Sequence, residues 1–360
     1  MAAARLPEYL PIVRQSAAGA DYPAAYAEVE RTTPADLCDA DGRLNEAAVG
    51  WSRTPLVRAN LRGHWPRKKR WNFWNWISPQ FVFSVTLADI DYAAFCQASF
   101  IDFASGRSLQ ATALARPGSV PLPEVVDATI GFRSAALEYT NAIDGTHATV
   151  QFAGHAATGE RIEADFIVHR PPRHESLNLV VPWTATRFQL NCKANTLPCE
   201  GRVTVGGATY EMSPSSCHAV QDFGRGVWPY RAFWNWGVAT GSAGGRTIGV
   251  NIGGKWTTAT GVNENALCIA GQLHKINEDL VWEYDPDNWL RPWRVRAVRS
   301  GMVDLTLHPL VAHPTRLSLG VLSTRGVCCF GRWEGTLRAG GEELAVTDLI
   351  GWGEEFAHRW

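Results

Sequence analysis

Two tryptophan-rich segments are the most unusual chemistry-bearing feature of this 360-residue sequence, which contains 16 Trp. Residues 63–76 and 226–236 both read Gly-x-Trp-Pro and then Phe-Trp-Asn-Trp. An indole ring offers a large apolar surface and one N–H donor, so it suits both a packed core and a cavity for a lipophilic or sugar ligand. The candidate ligand-binding residues are Trp71, Trp74, Trp76, Trp228, Trp234, Trp236, Asn235 and His218.

The orientation of these segments follows from strand geometry. In an extended strand, alternate side chains point to opposite faces, so the two indoles of each Trp-Asn-Trp share one face. We expect each pair of indoles to point into the interior of its own half. The Asn is then expected on the other face, where its amide needs hydrogen-bonding partners. Core packing and the lining of a ligand cavity both remain open roles for the Trp pairs.

A carboxyl group precedes the second segment and could supply acid chemistry. Acid-catalysed hydration or cyclisation of an alkene needs a protonated carboxyl in an apolar pocket, where burial favours the neutral form. Aromatic faces can then stabilise the carbocation. Asp222 is the candidate acid, close to Trp228, Trp234 and Trp236 in sequence. Its alternative roles are a turn-forming residue and an ion-pair partner of Arg225.

Further titratable candidates lie near the carboxyl end of the sequence and next to the tryptophan segments. Glu354 and Glu355 are adjacent, so in a strand only one of them can face inward. They are candidate catalytic residues, and a charged surface strand is their alternative role. His64 and His218 could each shuttle a proton or serve as hydrogen-bonded structural histidines.

Several function classes are disfavoured by charge and motif content. A net charge of −1 gives no reason to expect nucleic acid or an anionic membrane as a partner. The basic cluster Arg67–Arg70 predicts either a solvated loop or a contact with an anionic ligand. No zinc-type spacing of Cys or His occurs, nor a phosphate-binding glycine motif, so we predict neither a metal nor another cofactor. Without a signal-type segment or an 18-residue apolar run, the sequence predicts a cytoplasmic protein without a membrane span, with reduced thiols.

Alternating apolar residues indicate the elements that position these groups. Residues 81–87, 186–193 and 303–308 each alternate with a period of two, which is typical of half-buried strands. Gly-Gly and Asp-Gly turns separate such runs. The repeat predicts two halves, 37–172 and 173–360, with a boundary near Pro171-Pro172. Residues 1–36 are expected to be peripheral, with a short helix over residues 23–30.

Four stretches together resemble the bacterial family called domain of unknown function 2804. They are 41–44 with 50–53 (Asp-Gly-Arg-Leu and Gly-Trp-Ser-Arg), 70–75 (Arg-Trp-Asn-Phe-Trp-Asn), 221–226 (Gln-Asp-Phe-Gly-Arg-Gly) with the second tryptophan segment, and 351–355 (Gly-Trp-Gly-Glu-Glu). That family is distantly similar to the AttH-like, carotenoid 1,2-hydratase and tocopherol cyclase group. In that group, a Trp precedes the position of Asp222, whereas Ala219-Val220-Gln221 stand here.

The resemblance implies an all-β fold of two tandem lipocalin-like antiparallel β-barrel halves with little helix. It also implies binding of a lipophilic small molecule and cofactor-independent hydration, isomerisation or cyclisation.

Two other functions remain open. Tryptophan platforms with Asp222 and either Glu354 or Glu355 would suit a glycoside hydrolase. A barrel that merely holds a lipophile would be a carrier. The sequence leaves the oligomeric state open.

Overall fold

A computed structural model describes residues 25–360, which are almost entirely β-structure with one short 3-10 helix, Glu46–Ala48. The strands of the amino-terminal part are β1 Ala35–Asp36, β2 Gly50–Ser52, β3 Val57–Arg58, β4 Lys68–Ile77, β5 Phe81–Asp89, β6 Ala94–Asp102, β7 Ser108–Ala115, β8 Ile130–Arg133, β9 Leu137–Asp144, β10 His147–His155, β11 Arg161–His169, β12 Leu177–Thr184, β13 Arg187–Val205, β14 Ala208–Met212 and β15 His218–Val227. Those that follow are β16 Arg231–Ala243, β17 Arg246–Gly254, β18 Ala266–Ile269, β19 Gln272–Lys275, β20 Val281–Glu283, β21 Trp293–Arg296, β22 Val303–Leu319, β23 Leu322–Ala339 and β24 Glu342–Arg359.

These strands form two large antiparallel sheets. The first follows the order β7-β6-β5-β4-β15-β13-β11-β10-β9-β8, with β2, β12 and β14 attached beside this path. The second follows the order β19-β18-β17-β16-β24-β23-β22-β21-β20. A small parallel pair, β1 with β3, completes the strands. The predicted all-β architecture of two antiparallel, curled barrel-like halves is therefore confirmed.

The described chain divides into two compact units. The first unit comprises residues 31–180 and 184–228, and the second comprises residues 25–30, 181–183 and 229–360. The chain does not divide at Pro171-Pro172, because β13 pairs with β11 and β15 pairs with β4 in the same sheet. The second tryptophan segment consequently spans the change of unit, with Trp228 in the first unit and Pro229 in the second.

The core of the first unit is built on strands with the predicted alternation. Phe81, Phe83, Val85 and Leu87 all lie in one buried cluster, as their period of two indicated. Trp76 stacks there against a phenylalanine of β11, Phe166, with ring centroids 5.0 Å apart. Apolar side chains on one face of β5 therefore close the sheet around an aromatic core.

The core of the second unit follows the same rule. Val303, Leu305 and Leu307 on β22 share one buried face with Trp293 of β21. Gly353 of β24 lies opposite this face, and a Cβ there would approach Leu307 at 3.0 Å. The glycine thus lets the last strand pass close to the core side chains without displacing Leu307.

The amino-terminal segment does not follow its predicted helix. Residues 23 and 24 lie outside the described residues, and from Ala25 onward the chain is extended, with an isolated bridge from Ala25 to Glu278. Lys275 holds this segment through an ion pair with Glu28 at 2.7 Å. The segment is therefore fixed to the second unit by charge and backbone contacts rather than by helical packing.

Two further properties concern the whole described chain. All eight cysteines are free thiols, and all but Cys328 are buried. Among residues 25–360, no helix has the length and apolar content that crossing a bilayer would need.

Candidate functional site

Asp222 lies in the middle of β15, which runs between β4 and β13. The antiparallel register pairs Asp222 with Phe73 on one side and with Lys193 on the other. Directly paired side chains in an antiparallel sheet lie on the same face. The side chains that share this face are here called the Asp222 face, namely Trp71, Phe73, Asn75, Gln189, Asn191, Lys193, His218, Asp222 and Trp228. Their strand neighbours on the opposite face, such as Phe223, belong to the apolar core.

Two glycines of β15 make room for the larger members of this face. A Cβ on Gly224 would meet the Trp71 ring at 2.0 Å, and a Cβ on Gly226 would meet Gln189 Oε1 at 2.0 Å. The Trp71 ring therefore occupies the space over Gly224, with its centroid 6.0 Å from that of Trp228. The alternative role of Asp222 as a turn-forming residue is not observed, because the segment is a regular strand whose glycines admit the neighbouring side chains.

A chain of hydrogen bonds crosses the Asp222 face and ends at the carboxylate. Trp228 Nε1 donates to Gln189 Oε1 at 2.6 Å, Gln189 Nε2 donates to Asn191 Oδ1 at 2.7 Å, and Asn191 Nδ2 donates to Asp222 Oδ1 at 2.7 Å. An indole N–H can only donate, so Trp228 fixes the direction of every amide that follows. Asp222 is consequently an acceptor at the end of an ordered chain.

The second carboxylate oxygen faces a buried cation. Lys193 Nζ lies 3.3 Å from Asp222 Oδ2, and both side chains are less than a tenth exposed. The predicted alternative partner, Arg225, points to the other face, where it donates to the carbonyl oxygens of Trp71 and Pro123. Burial, together with the charge of Arg70, lowers the pKa of Arg225 to about 9. The ion pair of Asp222 is therefore with Lys193 and not with Arg225.

Two polar atoms on the Asp222 face have no hydrogen-bond partner among the described residues. They are Asn75 Nδ2 and His218 Nδ1, both on buried side chains. Burial, with a smaller contribution from nearby His174, lowers the pKa of His218 to about 4, so its ring is neutral at pH 7. Buried polar atoms in proteins are nearly always paired, so these two are available to an atom of a bound molecule.

The two tryptophan segments face opposite ways relative to their cores. Trp74 and Trp76 lie in the core cluster of the first unit, as predicted for an inward pair. In the second unit, Asn235 faces the core side and donates to Tyr284 Oη at 3.2 Å and to the backbone oxygen of Glu354 at 3.1 Å. Trp234 and Trp236 lie on the opposite face of β16, away from the core cluster of their unit, although Trp236 is buried there. The prediction that they point into the interior of their half is therefore wrong. The amide of Asn235 finds its partners among inward groups, and alternation then turns the indoles outward.

Glu354 and Glu355 point to opposite faces, as their adjacency required. Glu355 Oε2 accepts from Lys255 Nζ at 2.9 Å and from Tyr284 Oη, and Lys255 Nζ also donates to Tyr284 Oη at 2.9 Å. Tyr284 stacks on Trp293 with centroids 4.4 Å apart. Burial lowers the pKa of Lys255, and the charge of Glu355 opposes that shift. These groups satisfy one another, so the cluster is a closed polar network inside the second unit.

Glu354 lies on the same face of the second sheet as Trp234 and Trp236. Its Oε1 accepts from Trp234 Nε1 at 2.7 Å. Burial and the neighbouring Glu354 raise the pKa of the Cys328 thiol on the adjacent strand β23. Trp236, on the same face, donates to Asn251 Oδ1 at 2.9 Å. Glu354 therefore orients an indole, and its other neighbour is a protonated thiol.

The structure thus brings together only part of the predicted site. Asp222, His218, Trp71 and Trp228 share the Asp222 face, whereas Trp74 and Trp76 lie in the core behind it. Glu354, Glu355, Asn235, Trp234 and Trp236 belong to the second unit. The residues that the sequence interpretation missed are Asn75, Gln189, Asn191 and Lys193. The last three were visible as the polar positions of an alternating strand, but burial of their face was not.

Three residues of the basic cluster, Lys68 to Arg70, begin β4 and form neither a solvated loop nor an unpaired anion site. Lys68 lies 3.5 Å from Asp91, and Arg70 lies 3.1 Å from the fully buried Asp89. Lys69 Nζ donates to a backbone oxygen, and burial lowers the pKa of Lys69 to about 7. Residues 25–360 contain no group of three or more His, Cys, Asp or Glu side chains arranged to hold a metal ion.

Comparison with solved structures finds several matches at low sequence identity. Kievitone hydratase from Nectria haematococca has a TM-score of 0.44 at 10% identity, covering 94% of this chain and 98% of its own. CghA with Sch210972 has a TM-score of 0.40 at 12% identity, covering 82% and 89%. A protein described as AttH from Nitrosomonas europaea has a TM-score of 0.38 at 14% identity, covering 80% and 92%.

Comparison with curated proteins finds no match. A family model does match, over residues 28–360, and it is the one described as domain of unknown function DUF2804. The match covers nearly the whole chain and confirms the resemblance that the four sequence stretches indicated. The chain belongs to the DUF2804 family.

Proposed function

We propose that this protein binds a lipophilic small molecule against the Asp222 face and acts on it as a cofactor-independent hydratase, isomerase or cyclase. The observation that supports this best is the position of Asp222. It is a single buried carboxylate at the end of a directed hydrogen-bond chain, beside three aromatic rings. A proton-transfer group that is buried from water and held by fixed partners is what such reactions require.

The aromatic side chains of this face account for an apolar ligand. Trp71 and Phe73 are only partly buried, so their rings retain surface that a ligand can cover. Aromatic faces bury large apolar areas and also stabilise positive charge that develops during reaction. The free positions at Asn75 Nδ2 and His218 Nδ1 can hydrogen-bond an oxygen of the ligand and fix its orientation.

The contacts of Asp222 favour a proton acceptor over the neutral acid that the sequence suggested. Both of its oxygens already face donors, Asn191 Nδ2 and Lys193 Nζ. In an isomerisation or cyclisation, Asp222 would take a proton from one carbon and return it to another. In a hydration, it would take a proton from the attacking water and deliver it to the neighbouring alkene carbon. No cofactor enters either sequence.

Glycoside hydrolysis is less well supported, because it uses two carboxyl groups that flank the scissile bond. The Asp222 face contains one carboxyl group, that of Asp222. The carrier function remains the alternative, since a face that binds a lipophile need not transform it. An experiment on the bound molecule separates the two.

Native mass spectrometry of the protein purified from its own host would first identify a co-purified small molecule. Incubating that molecule with the wild-type protein and with Asp222→Asn, and following products by chromatography, would then test the reaction. We expect Asp222→Asn to bind the molecule but to turn it over about 10²–10⁴-fold more slowly. Asp165→Asn, at an exposed position of β11, is the matched control and should react like the wild type.

Two outcomes would contradict the proposal. Wild-type turnover by Asp222→Asn would remove Asp222 from the mechanism. A molecule that binds and is never altered would identify a carrier. The double variant Lys193→Met/Asp222→Asn, which removes both charges of the pair, keeps the test valid if the single variant folds poorly.

A further inference from the structure

The hairpin formed by β22 and β23 ends in an exposed apolar tip. Leu317, Leu319 and Val321 are 52%, 62% and 71% exposed. Residues 313–326, here called the hairpin tip, contribute nothing to the core cluster of the second unit. Single exposed aliphatic residues are common on protein surfaces, but three within five positions at one turn form a local patch.

Charge is distributed unevenly around this patch. Residues 305–333 include no Asp or Glu, although the chain as a whole has 35 acidic residues. Arg316 is paired directly with Arg325 across the hairpin, and neither forms an ion pair with another described residue. Like charges placed opposite each other destabilise a sheet pair slightly. An external anionic partner therefore explains the pairing of Arg316 with Arg325 better than the stability of the hairpin does.

Amphipathic aromatic residues lie next to the tip. Tyr230 Oη donates to the backbone oxygen of Val321 at the turn. The backbone N–H of Trp360 donates to the backbone carbonyl oxygen of Tyr230 at 3.0 Å, so the two aromatic residues are neighbours on adjacent backbone segments. Tyr and Trp favour the boundary between lipid and water, where one end of the ring is apolar and the other is wet.

We propose that the hairpin tip is a docking surface for an anionic lipid bilayer. Leu317, Leu319 and Val321 enter the boundary between headgroups and acyl chains, and Arg316 and Arg325 contact anionic headgroups. An apolar patch combined with arginines gives reversible surface binding, sensitive to lipid charge and to salt. This inference concerns a partner of the whole protein and does not depend on the proposed reaction at the Asp222 face.

The test is co-sedimentation of the full chain with vesicles of phosphatidylcholine, with and without phosphatidylserine. We expect binding to the vesicles that contain phosphatidylserine, and its loss at high salt. Leu319→Ser/Val321→Ser should abolish binding. Arg316→Gln and Arg325→Gln should each weaken it about fivefold, the effect of about 1 kcal/mol per basic residue near an anionic surface. Leu114→Ser, at an 80% exposed leucine of β7, is the matched control and should bind like the wild type.

Circular dichroism of each variant would show that the fold is retained. Failure of the wild type to bind vesicles that contain phosphatidylserine would overturn the proposal, as would unchanged binding of the tip variants. Light scattering that shows a dimer of the wild type, lost in Leu319→Ser/Val321→Ser, would assign the tip to a second copy of this chain and would also overturn it.

Discussion

Lys193 and Asp222 form a buried ion pair on directly opposite positions of β13 and β15, with Nζ and Oδ2 3.3 Å apart. Asn191 completes the coordination of the carboxylate from two residues away on the same strand as Lys193. Desolvation makes each charge dependent on the other, because removal of one partner leaves an uncompensated buried ion. The stability of the first unit is thus coupled to the group that we assign to proton transfer.

The first prediction concerns the energy of this pair. Asp222→Asn and Lys193→Met should each lower the free energy of unfolding by about 3–5 kcal/mol, because each removes one charge of a buried ion pair. The double variant should recover much of this loss. Urea unfolding of the four proteins in a double-mutant cycle measures the coupling. Additive effects of the two substitutions would show that the pair is not energetically coupled.

A second prediction concerns the donor that sets the direction of the hydrogen-bond chain. Trp228→Phe removes the N–H that orients Gln189 and should cost about 1–3 kcal/mol beyond the loss of ring volume. Trp333→Phe is the matched control, since Trp333 is equally buried and its Nε1 has no partner among the described residues. Thermal unfolding of both variants gives the comparison. Equal losses would mean that the hydrogen bond of Trp228 contributes nothing.

The space over Gly224 leads to a third prediction. Gly224→Ala places a methyl group against the ring of Trp71, where a Cβ would be 2.0 Å away, so the indole must move. Overpacking of this kind costs about 1–3 kcal/mol. Gly131→Ala is the control, because the nearest atom there is 3.4 Å from the added Cβ. A crystal structure of Gly224→Ala with Trp71 unmoved and wild-type stability would contradict the expectation.

The fourth prediction is a pH dependence caused by His218. Its pKa falls from the ordinary value of 6.5 to about 4 in the folded protein. Between these values the unfolded chain binds more protons than the folded one, so stability decreases as the pH falls from about 6.5 to about 4. The expected contribution is roughly 3 kcal/mol at 1.36 kcal/mol per pKa unit.

His218→Phe should flatten the curve of unfolding free energy against pH over this window. His155→Gln, at an exposed histidine of β10, should keep the wild-type curve. Chemical denaturation at a series of pH values provides the measurement. A wild-type pH profile in His218→Phe would assign the acid sensitivity to another group.

A fifth prediction distinguishes the structural role of the network of Lys255, Tyr284 and Glu355 from the ligand-binding role proposed for the Asp222 face. Glu355→Gln leaves the ammonium of Lys255 buried without its carboxylate and should destabilise the protein by about 3–5 kcal/mol. Ligand retention by the folded fraction should be unchanged, because the network is internally satisfied. Glu342→Gln breaks an exposed pair with Arg246 and should cost less than about 1 kcal/mol. Loss of ligand without loss of stability in Glu355→Gln would place Glu355 in a binding site.

Local pattern was sufficient to predict individual strands, whereas the two barrel-like halves were implied by the family resemblance. The alternation from Phe81 to Leu87 is a property of one segment, and the core simply uses its apolar face. Asn235 shows where local pattern fails. Whether its strand turns the Asn or the indoles inward depends on Tyr284 and on the backbone of Glu354, which are distant in sequence.

Lys193 was missed for the same reason. A lysine at a polar position of an alternating strand normally faces water. Only the pairing of β13 with β15 reveals that this face is buried and that the lysine meets Asp222. Residues whose role is created by a cross-strand neighbour cannot be recognised before the strand order is known.

The strand order of the second unit has a consequence for biosynthesis. Of the described strands, β24 leaves the ribosome last, yet it lies between β16 and β23 in the middle of the sheet. Until it emerges, β16 and β23 each present an unpaired backbone edge, which is a template for association with other nascent chains. Translation that stalls before residue 342 should therefore yield aggregation-prone chains that recruit chaperones, whereas a stall between residues 228 and 231 exposes neither of these edges.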